Sequence, residues 1–327
     1  VSEKRRKTLN TGIGGGINPI LTELEYSRCR SICTFIAKRV SVTPTKGTDM
    51  IYIDLENRKI PALGFGTWQL RGEACLNGVR RALDIGYRHI DTAQIYENEE
   101  HVGEAIVQSG VKRDDIFLTT KVWMGNLEGK LFRPSVEESL RKLKTDYVDL
   151  LLIHWPVAEV PFAEQVKSLR AVQEAGLARM IGLSNFTVPQ MREVVEDLGL
   201  RVVNNQVEYH PFLSQKPVLD YLRAHDMFLT AYSPLARGKV REDGTLREIA
   251  DKHGKNPGQI ALRWLLQQER VAAIPKAASE ENMRANFDIF DFTLDADEMH
   301  RISLLTRQSK RLINPEWAPH WDQAAAA

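Results

Sequence analysis

The chain has 327 residues, 43% of them hydrophobic, which is enough apolar material for a sizeable core in one domain. Its 44 Lys and Arg residues nearly balance 43 Asp and Glu residues, which argues against a nucleic-acid partner, since that role requires a basic surface. No apolar run approaches the roughly 18 residues that a membrane-spanning helix needs. Three cysteines, Cys29, Cys33 and Cys75, form an odd set that predicts free thiols in a reducing, cytoplasmic compartment.

Residues 1–49 differ from the rest of the sequence in charge and in pattern. They hold nine Lys or Arg and four Asp or Glu residues, lack a clear periodicity and include the run Gly14-Gly15-Gly16. We predict a disordered extension or upstream sequence translated from a misassigned start, because the first regular pattern begins at Met50. A targeting peptide is the alternative, but the segment has no long apolar stretch and contains acidic residues that transit peptides avoid. The folded domain is expected at 50–322, followed by a tail at 323–327.

From Met50 onward, short β-rich runs alternate with helical patterns. The runs 51–55 and 58–61 flank Glu56-Asn57 and predict a β-hairpin. Eight further strand candidates follow, each with a helical stretch after it, at 62–67, 89–93, 116–122, 148–154, 179–184, 203–207, 229–233 and 271–275. Nearly continuous apolar runs among them, such as Val148–Ile153, are typical of strands buried on both faces. Eight such units predict an α/β fold, a (β/α)8 TIM barrel with an N-terminal hairpin.

Capping signals mark the starts of several predicted helices. A capping box pairs Ser, Thr or Asp with Glu or Gln three residues later, and the sequence offers Ser135 with Glu138, Thr187 with Gln190, and Asp295 with Glu298. The pair Asn256-Pro257 places a capping residue before a proline at the first helical position.

The rival architecture is an open, doubly wound parallel sheet. When such a sheet binds a dinucleotide, it carries G-x-G-x-x-G after its first strand. The first strand here ends in Gly64-Phe65-Gly66-Thr67-Trp68, which lacks the third glycine. The sequence therefore favours the barrel.

Barrel enzymes carry their chemistry at the carboxyl ends of the strands, and four reactive residues fall there in this sequence. The second strand of the barrel contains Asp91, with Tyr96 in the following loop. The third contains Lys121, and the fourth ends in His154. Alone, each residue is more often structural than catalytic. An acid, a phenol, an amine and an imidazole at one mouth are hard to explain by packing, so we predict an active site.

These side chains suit the protonation of a carbonyl oxygen. A lysine ammonium beside a phenol favours the phenolate, so we expect Lys121 to lower the pKa of Tyr96 from its ordinary value of about 10. Asp91 would hold Lys121, and His154 would orient the substrate oxygen. The result is a general acid for a carbonyl that accepts a hydride. No metal site is predicted, because His89 and His154 are not at ligand spacing and no H-x-H or H-E-x-x-H pattern occurs.

Around these residues the chain resembles the aldo-keto reductase family over about residues 50–322. Segments 86–99, 140–156 and 274–286 are similar to the three signatures of that family. The ending 311–322 is similar to that of the bacterial 2,5-diketo-gluconate and methylglyoxal reductases. The resemblance implies the barrel fold, NADPH as the cofactor, and a catalytic tetrad formed by Asp91, Tyr96, Lys121 and His154.

The resemblance also implies the cofactor contacts. The matching positions are Gly66, Thr67, Trp68, Asp91, Ser184, Asn185, Gln206, Tyr232, Ser233, Leu235, Lys276, Ala277, Asn282 and Asn286. Among them, Ser184, Asn185 and Gln206 match residues that bind the nicotinamide carboxamide. Tyr232 matches the aromatic that stacks on the ring, and Lys276 matches the cation for the adenosine 2′-phosphate.

Two of these positions depart from the family pattern. Many members carry Ser or Thr at Ala277 and Arg at Asn282, and both of those residues grip the 2′-phosphate. We consider Arg284, nearby on the predicted helix, as a replacement for the missing arginine. NADPH remains the expected cofactor because Lys276 is present, with NADH or dual use as the alternative.

The predicted substrate site combines His154 with the aromatic residues Trp68, Trp123 and Trp155. Short segments after His154 and after Thr306 favour small carbonyl substrates, such as methylglyoxal, 2,5-diketo-D-gluconate, short aldehydes or keto esters. We expect a monomer. A cofactor-binding regulatory barrel without turnover is the alternative, although the complete tetrad argues against it. A phosphate-binding isomerase is disfavoured because no glycines flank Lys276.

Overall fold

A computed structural model describes residues 50–322 of the chain. The predictions for 1–49 and for 323–327, including those for Cys29 and Cys33, lie outside these residues. Cys75 is a buried, free thiol. No helix in the described range is long and apolar enough to span a bilayer. Within the same range, no group of His, Cys, Asp and Glu is arranged to hold a metal ion.

The predicted hairpin is confirmed. Strands β1 (Tyr52–Leu55) and β2 (Arg58–Pro61) pair antiparallel, with Leu55 opposite Arg58. The two turn residues, Glu56 and Asn57, have φ values of 49° and 62°. Two consecutive left-handed residues are the requirement of a type I′ turn, whose twist matches that of the strands.

All eight further strands are present and form one parallel sheet in sequential order. They are β3 (Phe65–Gly66), β4 (His89–Asp91), β5 (Phe117–Val122), β6 (Val148–Ile153), β7 (Ala178–Ser184), β8 (Asn204–Glu208), β9 (Phe228–Tyr232) and β10 (Val271–Ala273). A parallel bridge pairs Leu63 with Ala273, and the Gly64 N–H donates to the Ala273 carbonyl at 2.8 Å, which links the first strand to the last. This arrangement fits a (β/α)8 fold.

Ten helices accompany these strands in the described part of the chain. They are α1 (Gly72–Ile85), α2 (Glu99–Ser109), α3 (Gly129–Leu143), α4 (Phe162–Glu174), α5 (Val188–Arg192), α6 (Lys216–Ala224), α7 (Gly244–His253), α8 (Pro257–Leu266), α9 (Glu280–Phe287) and α10 (Ala296–Leu305). Every residue of β6 is buried, as its apolar run predicted, and every residue of β5 is buried as well. The apolar core continues from the strands into the helix faces.

Three of the four predicted helix starts are confirmed. Capping boxes open α5 at Thr187, α8 at Asn256 and α10 at Asp295. The predicted start at Ser135 is wrong, because α3 already begins at Gly129 and runs through Pro134. The Gly129 N–H donates to the Glu164 carboxylate at 2.8 Å, so a residue of the following helix satisfies the first turn.

Close packing of α2 against the end of α3 makes Gly103 a sensitive position. A Cβ at Gly103 would lie 2.5 Å from the Lys142 carbonyl oxygen and from the Leu143 carbonyl carbon. We expect Gly103→Ala to lower the free energy of unfolding by about 1–3 kcal/mol, because the helix backbones must separate. This loss outweighs the roughly 1 kcal/mol that alanine gains over glycine within a helix.

Urea denaturation of both the Gly103 variant and a matched variant tests this packing. Gly244 begins α7, and a Cβ there would meet no atom within 4 Å. Gly244→Ala should therefore be neutral or stabilising. Equal unfolding free energies for the two variants would contradict the close contact between α2 and α3.

Candidate active site

A cavity of about 1000 Å³ opens at the carboxyl ends of the strands. Most of the predicted site residues line it, namely Gly66, Trp68, Asp91, Tyr96, Trp123, His154, Trp155, Asn185, Gln206, Tyr232, Ser233, Leu235, Lys276, Ala277, Asn282 and Asn286. Three others, Thr67, Lys121 and Ser184, are buried and lie outside the cavity wall. The residues predicted from the strand ends therefore lie around one cavity.

A buried ion pair underlies the wall of this cavity. The Lys121 ammonium donates to Asp91 Oδ1 at 2.6 Å and to the Thr92 carbonyl at 2.8 Å. The side chains of Lys121 and Asp91 are 0% and 2% exposed. Asp91 Oδ2 accepts from Gln206 Nε2 at 2.8 Å, so both carboxylate oxygens are engaged. Each charge in this pair is therefore compensated and hydrogen-bonded, as burial requires.

Tyr96 lies at the end of a short 3₁₀ turn, Gln94–Tyr96, that follows β4. Its hydroxyl is 3.5 Å from Lys121 Nζ, and its ring meets the His154 ring edge-on at a centroid distance of 5.7 Å. The Trp123 ring contacts His154 from another direction at 5.3 Å. The phenol, the ammonium and the imidazole therefore converge, as the sequence predicted, and their catalytic roles remain a proposal.

Two polar residues that the sequence analysis did not single out fix this turn. Gln94 Oε1 accepts from the Trp123 N–H, and Gln94 Nε2 donates to the Ser135 carbonyl. Asn98 is buried and donates to the carbonyls of Thr67 and Leu70, which fixes the loop that carries Trp68. Their signal in the sequence was their position inside the segment 86–99.

The pKa of Tyr96 is raised well above its usual value, contrary to the expected decrease. Burial is the main cause because it disfavours the phenolate, and the nearby Asp91 carboxylate adds to the effect. Lys121 does not reverse this increase, although its ammonium lies 3.5 Å from the hydroxyl, because it is paired with Asp91 at 2.6 Å. Burial also lowers the pKa of Lys121, although Asp91 opposes that change. The phenol therefore stays protonated at neutral pH.

His154 is a neutral imidazole at neutral pH. Burial, and then the Lys121 charge, lower its pKa well below 6.5. Its Nδ1 is buried and has no hydrogen-bond partner among the described residues. A neutral ring that borders the cavity can donate a hydrogen bond to a substrate oxygen from one nitrogen.

The buried imidazole predicts a pH dependence of stability. The unfolded chain binds a proton at His154 below about pH 6.5, whereas the folded chain does not, so stability is lost as the pH falls through that value. We expect the free energy of unfolding to drop by up to about 1.4 kcal/mol per pH unit from this residue. Urea denaturation between pH 7 and 5 should give a shallower pH slope for His154→Gln. Identical slopes in both proteins would contradict the burial effect.

A chain of hydrogen bonds connects the tetrad to the predicted cofactor residues. Asn185 has a left-handed φ of 64°, and its amide donates to the His154 carbonyl at 3.0 Å while accepting from the Tyr232 hydroxyl at 2.8 Å. The Ser184 hydroxyl donates to the Gln206 carbonyl at 2.9 Å. Ser184 is therefore engaged within the protein, and only Asn185 and Gln206 of the predicted carboxamide set border the cavity.

The side of the cavity between β10 and α9 is rich in cations. Lys276 and Asn282 line it together with Arg241, an arginine that the sequence analysis missed and that donates to Asn282. Arg237, which was also missed, lines the cavity next to Trp68. The suggested replacement, Arg284, does not line the cavity and pairs with Glu280 at 2.8 Å, one helical turn earlier. Nothing in the sequence distinguished Arg241 from the other arginines.

Another residue that the sequence analysis missed, Glu208, anchors the segment that closes the cavity. Its side chain is 0% exposed and accepts from the backbone N–H groups of Leu312 and Ile313 at 2.7 and 2.8 Å. His210 Nε2 lies 2.9 Å from the same carboxylate, and its Nδ1 accepts from a backbone N–H, so the ring donates from Nε2. Residues 312–315 and Trp317 thereby form one wall of the cavity.

Comparison with known proteins agrees with this geometry. The model of the aldo/keto reductase family matches residues 62–306. Methylglyoxal reductase DkgB of Salmonella typhi is 42% identical over 267 residues, which cover 80% of this chain and 99% of that protein. Methylglyoxal reductase DkgA of Escherichia coli K12 is 40% identical over 77% of this chain and 92% of its own length. A crystal structure provisionally assigned as 2,5-diketo-D-gluconic acid reductase B superposes with a TM-score of 0.82 at 48% identity, covering 84% of this chain and 99% of that one.

Proposed function

Because the chain belongs to the aldo/keto reductase family and is an oxidoreductase that acts on carbonyl groups, we propose that it reduces small aldehydes and ketoaldehydes with NADPH, using Tyr96 as the general acid. One observation carries the proposal. Tyr96 lines the cavity, and its hydroxyl lies 3.5 Å from the ammonium of a lysine that is itself paired with Asp91 inside the protein.

The cavity has the features that a nicotinamide dinucleotide requires. Asn185 and Gln206 offer amide groups for a carboxamide, and Tyr232 offers an aromatic ring next to them. Gly66 allows close approach of the β3 and β10 ends, because a Cβ there would lie 2.8 Å from the Ile274 carbonyl oxygen. When bound, NADPH supplies a hydride to the substrate carbon. Hydrogen bonds between the first and last strands support a closed barrel as the scaffold.

The protein supplies the proton and the orientation. The protonated Tyr96 hydroxyl donates to the substrate oxygen as negative charge develops there. Lys121 stabilises the phenolate that remains, and Asp91 keeps the ammonium charged and directed. His154, which is neutral, donates a second hydrogen bond to the same oxygen and so restricts its position.

The walls favour a small substrate. Trp68, Trp123 and Trp155 border the cavity, and Trp155 is buried against Trp321 at a ring distance of 6.0 Å. Aromatic walls exclude water and strengthen the electrostatic contacts of the site. Two relatives are named as methylglyoxal reductases and one solved structure as a diketogluconic acid reductase, which supports ketoaldehydes and polar keto compounds as the substrate class.

An assay of NADPH oxidation tests the proposal. Methylglyoxal, a short aldehyde and 2,5-diketo-D-gluconate should each be turned over, whereas a bulky steroid ketone should not. NADPH should give the higher kcat/KM in a parallel series with NADH. Absence of turnover with every small carbonyl would reject the substrate class, and equal or better kcat/KM with NADH would reject the cofactor assignment.

A further inference from the structure

We propose that Arg241 binds the 2′-phosphate of NADPH and makes this chain selective for NADPH over NADH. This role rests on the proposed function. It explains how the protein keeps a guanidinium at the phosphate although Asn282 occupies the position where the family resemblance led us to expect arginine. The inference depends on the placement of Arg241 beside Asn282, on its free donors and on the charges around it.

Arg241 and Asn282 are neighbours in the cavity wall. The Arg241 Nη2 atom donates to Asn282 Oδ1 at 3.2 Å, across 41 residues of sequence. A guanidinium has five N–H donors, and this single contact leaves most of them available. The asparagine therefore holds the guanidinium close to its own position, where two parallel N–H groups can bind one phosphate.

The backbone that carries Arg241 is fixed in place. The turn Ala236–Glu242 contains left-handed residues at Arg237 and Gly238, with φ values of 52° and 91°. Arg247 Nε donates to the Arg241 carbonyl at 2.7 Å, and Asp243 caps α7 immediately afterwards. These contacts hold the backbone at Arg241 in one conformation, so little backbone entropy is lost when the side chain binds an anion.

The charge around this position favours a dianion. Lys276 and Arg241 border the same side of the cavity, and no Asp or Glu pairs with either one among residues 50–322. Asp91 is the sole carboxylate of the described cavity lining, and Lys121 neutralises it. Two uncompensated cations beside a phosphate provide charge-assisted hydrogen bonds that NADH cannot accept.

The neighbouring arginines do not serve this role. Arg284 is bonded to Glu280 by two of its nitrogens and lies outside the wall. Arg237 lies over the Trp68 ring, with its guanidinium carbon 5.4 Å from the ring centroid, and so belongs to another part of the cavity. Arg241 is the arginine that both lines the cavity and contacts Asn282.

Binding measurements on the full chain separate this role from catalysis. Fluorescence titration gives Kd for NADPH and NADH, and calorimetry gives Kd for adenosine 2′,5′-bisphosphate and 5′-AMP. We expect Arg241→Ala to raise the Kd for NADPH and for the bisphosphate by about 10- to 100-fold. The Kd values for NADH and 5′-AMP should stay unchanged. Arg284→Ala, the control on α9, should leave all four constants as in the wild type.

The outcomes distinguish the two proposals. A wild-type protein that binds neither cofactor would overturn the proposed function and this inference together. A wild type that prefers NADPH, with the same preference in Arg241→Ala, would overturn only the role of Arg241. Equal weakening of NADPH binding and NADH binding in that variant would also overturn the role of Arg241, because a general loss of binding does not depend on the 2′-phosphate. Circular dichroism melting checks that the variant remains folded.

Discussion

Replacement of Tyr96 by phenylalanine is expected to remove most of the reductase activity and to leave the fold intact. The change deletes one oxygen, whose contact with Lys121 Nζ is 3.5 Å, and keeps the ring that meets His154 edge-on. Little stability therefore depends on the hydroxyl. A positioned general acid contributes about 10²- to 10⁴-fold to the rate, so kcat should fall by that factor. Steady-state kinetics with methylglyoxal and NADPH measure the loss.

Binding and a matched substitution identify the origin of that loss. The Kd for NADPH should change little, because the phenyl ring of the variant retains the shape of the cavity wall. Tyr52→Phe is the control, since Tyr52 is exposed in the hairpin and does not line the cavity. It should keep wild-type kinetics. A Tyr96→Phe enzyme with kcat within tenfold of the wild type would refute the role of the phenol.

The framework of the fold was predictable because its signals are local. Each β-rich run between helical patterns became a strand, and the left-handed pair Glu56-Asn57 became the hairpin turn. The predicted capping boxes at Thr187 and Asp295 do open helices, and each is formed by residues only three positions apart. The start of α3 was missed because its first N–H is satisfied by Glu164, 35 residues later. A window that reads only neighbouring residues cannot detect such a cap.

The composition of the site was predictable for a different reason. Parallel strands bring their carboxyl ends to one face, so Asp91, Lys121 and His154 had to meet once the strands were assigned. The sign of the change in the Tyr96 pKa was not predictable, because it depends on burial and on which charge Lys121 pairs with. The sequence-based prediction considered the effect of the Lys121 ammonium on the pKa of Tyr96, but not the neutralisation of that ammonium by Asp91.

Long-range partners explain the remaining differences. Glu208 binds the backbone of Leu312 and Ile313 across 104 and 105 residues, and nothing near Glu208 in the sequence signals this anchor. Arg284 is an instructive contrast, because its i,i+4 spacing from Glu280 already indicated a helical ion pair.

A second large effect is expected when the buried ion pair between Lys121 and Asp91 is broken, and substitutions there can separate activity from stability. Lys121→Met removes the ammonium and leaves Asp91 as a buried carboxylate whose remaining side-chain donor is Gln206. Breaking a buried ion pair in this way costs about 3–5 kcal/mol, so urea denaturation should show a marked loss of stability. Activity should also disappear, because no cation would remain to stabilise the phenolate of Tyr96.

A double variant distinguishes loss of folding from loss of chemistry. Asp91→Asn combined with Lys121→Met removes both charges, so its free energy of unfolding should exceed that of Lys121→Met alone. The asparagine can still accept from Gln206 Nε2, which donates to Asp91 at 2.8 Å in the wild type. The double variant should nevertheless remain inactive, because it still lacks the ammonium of Lys121 even though its stability is partly restored. Recovery of turnover in the double variant would mean that Lys121 serves only to neutralise Asp91. Wild-type stability in Lys121→Met would mean that solvent already screens the ion pair.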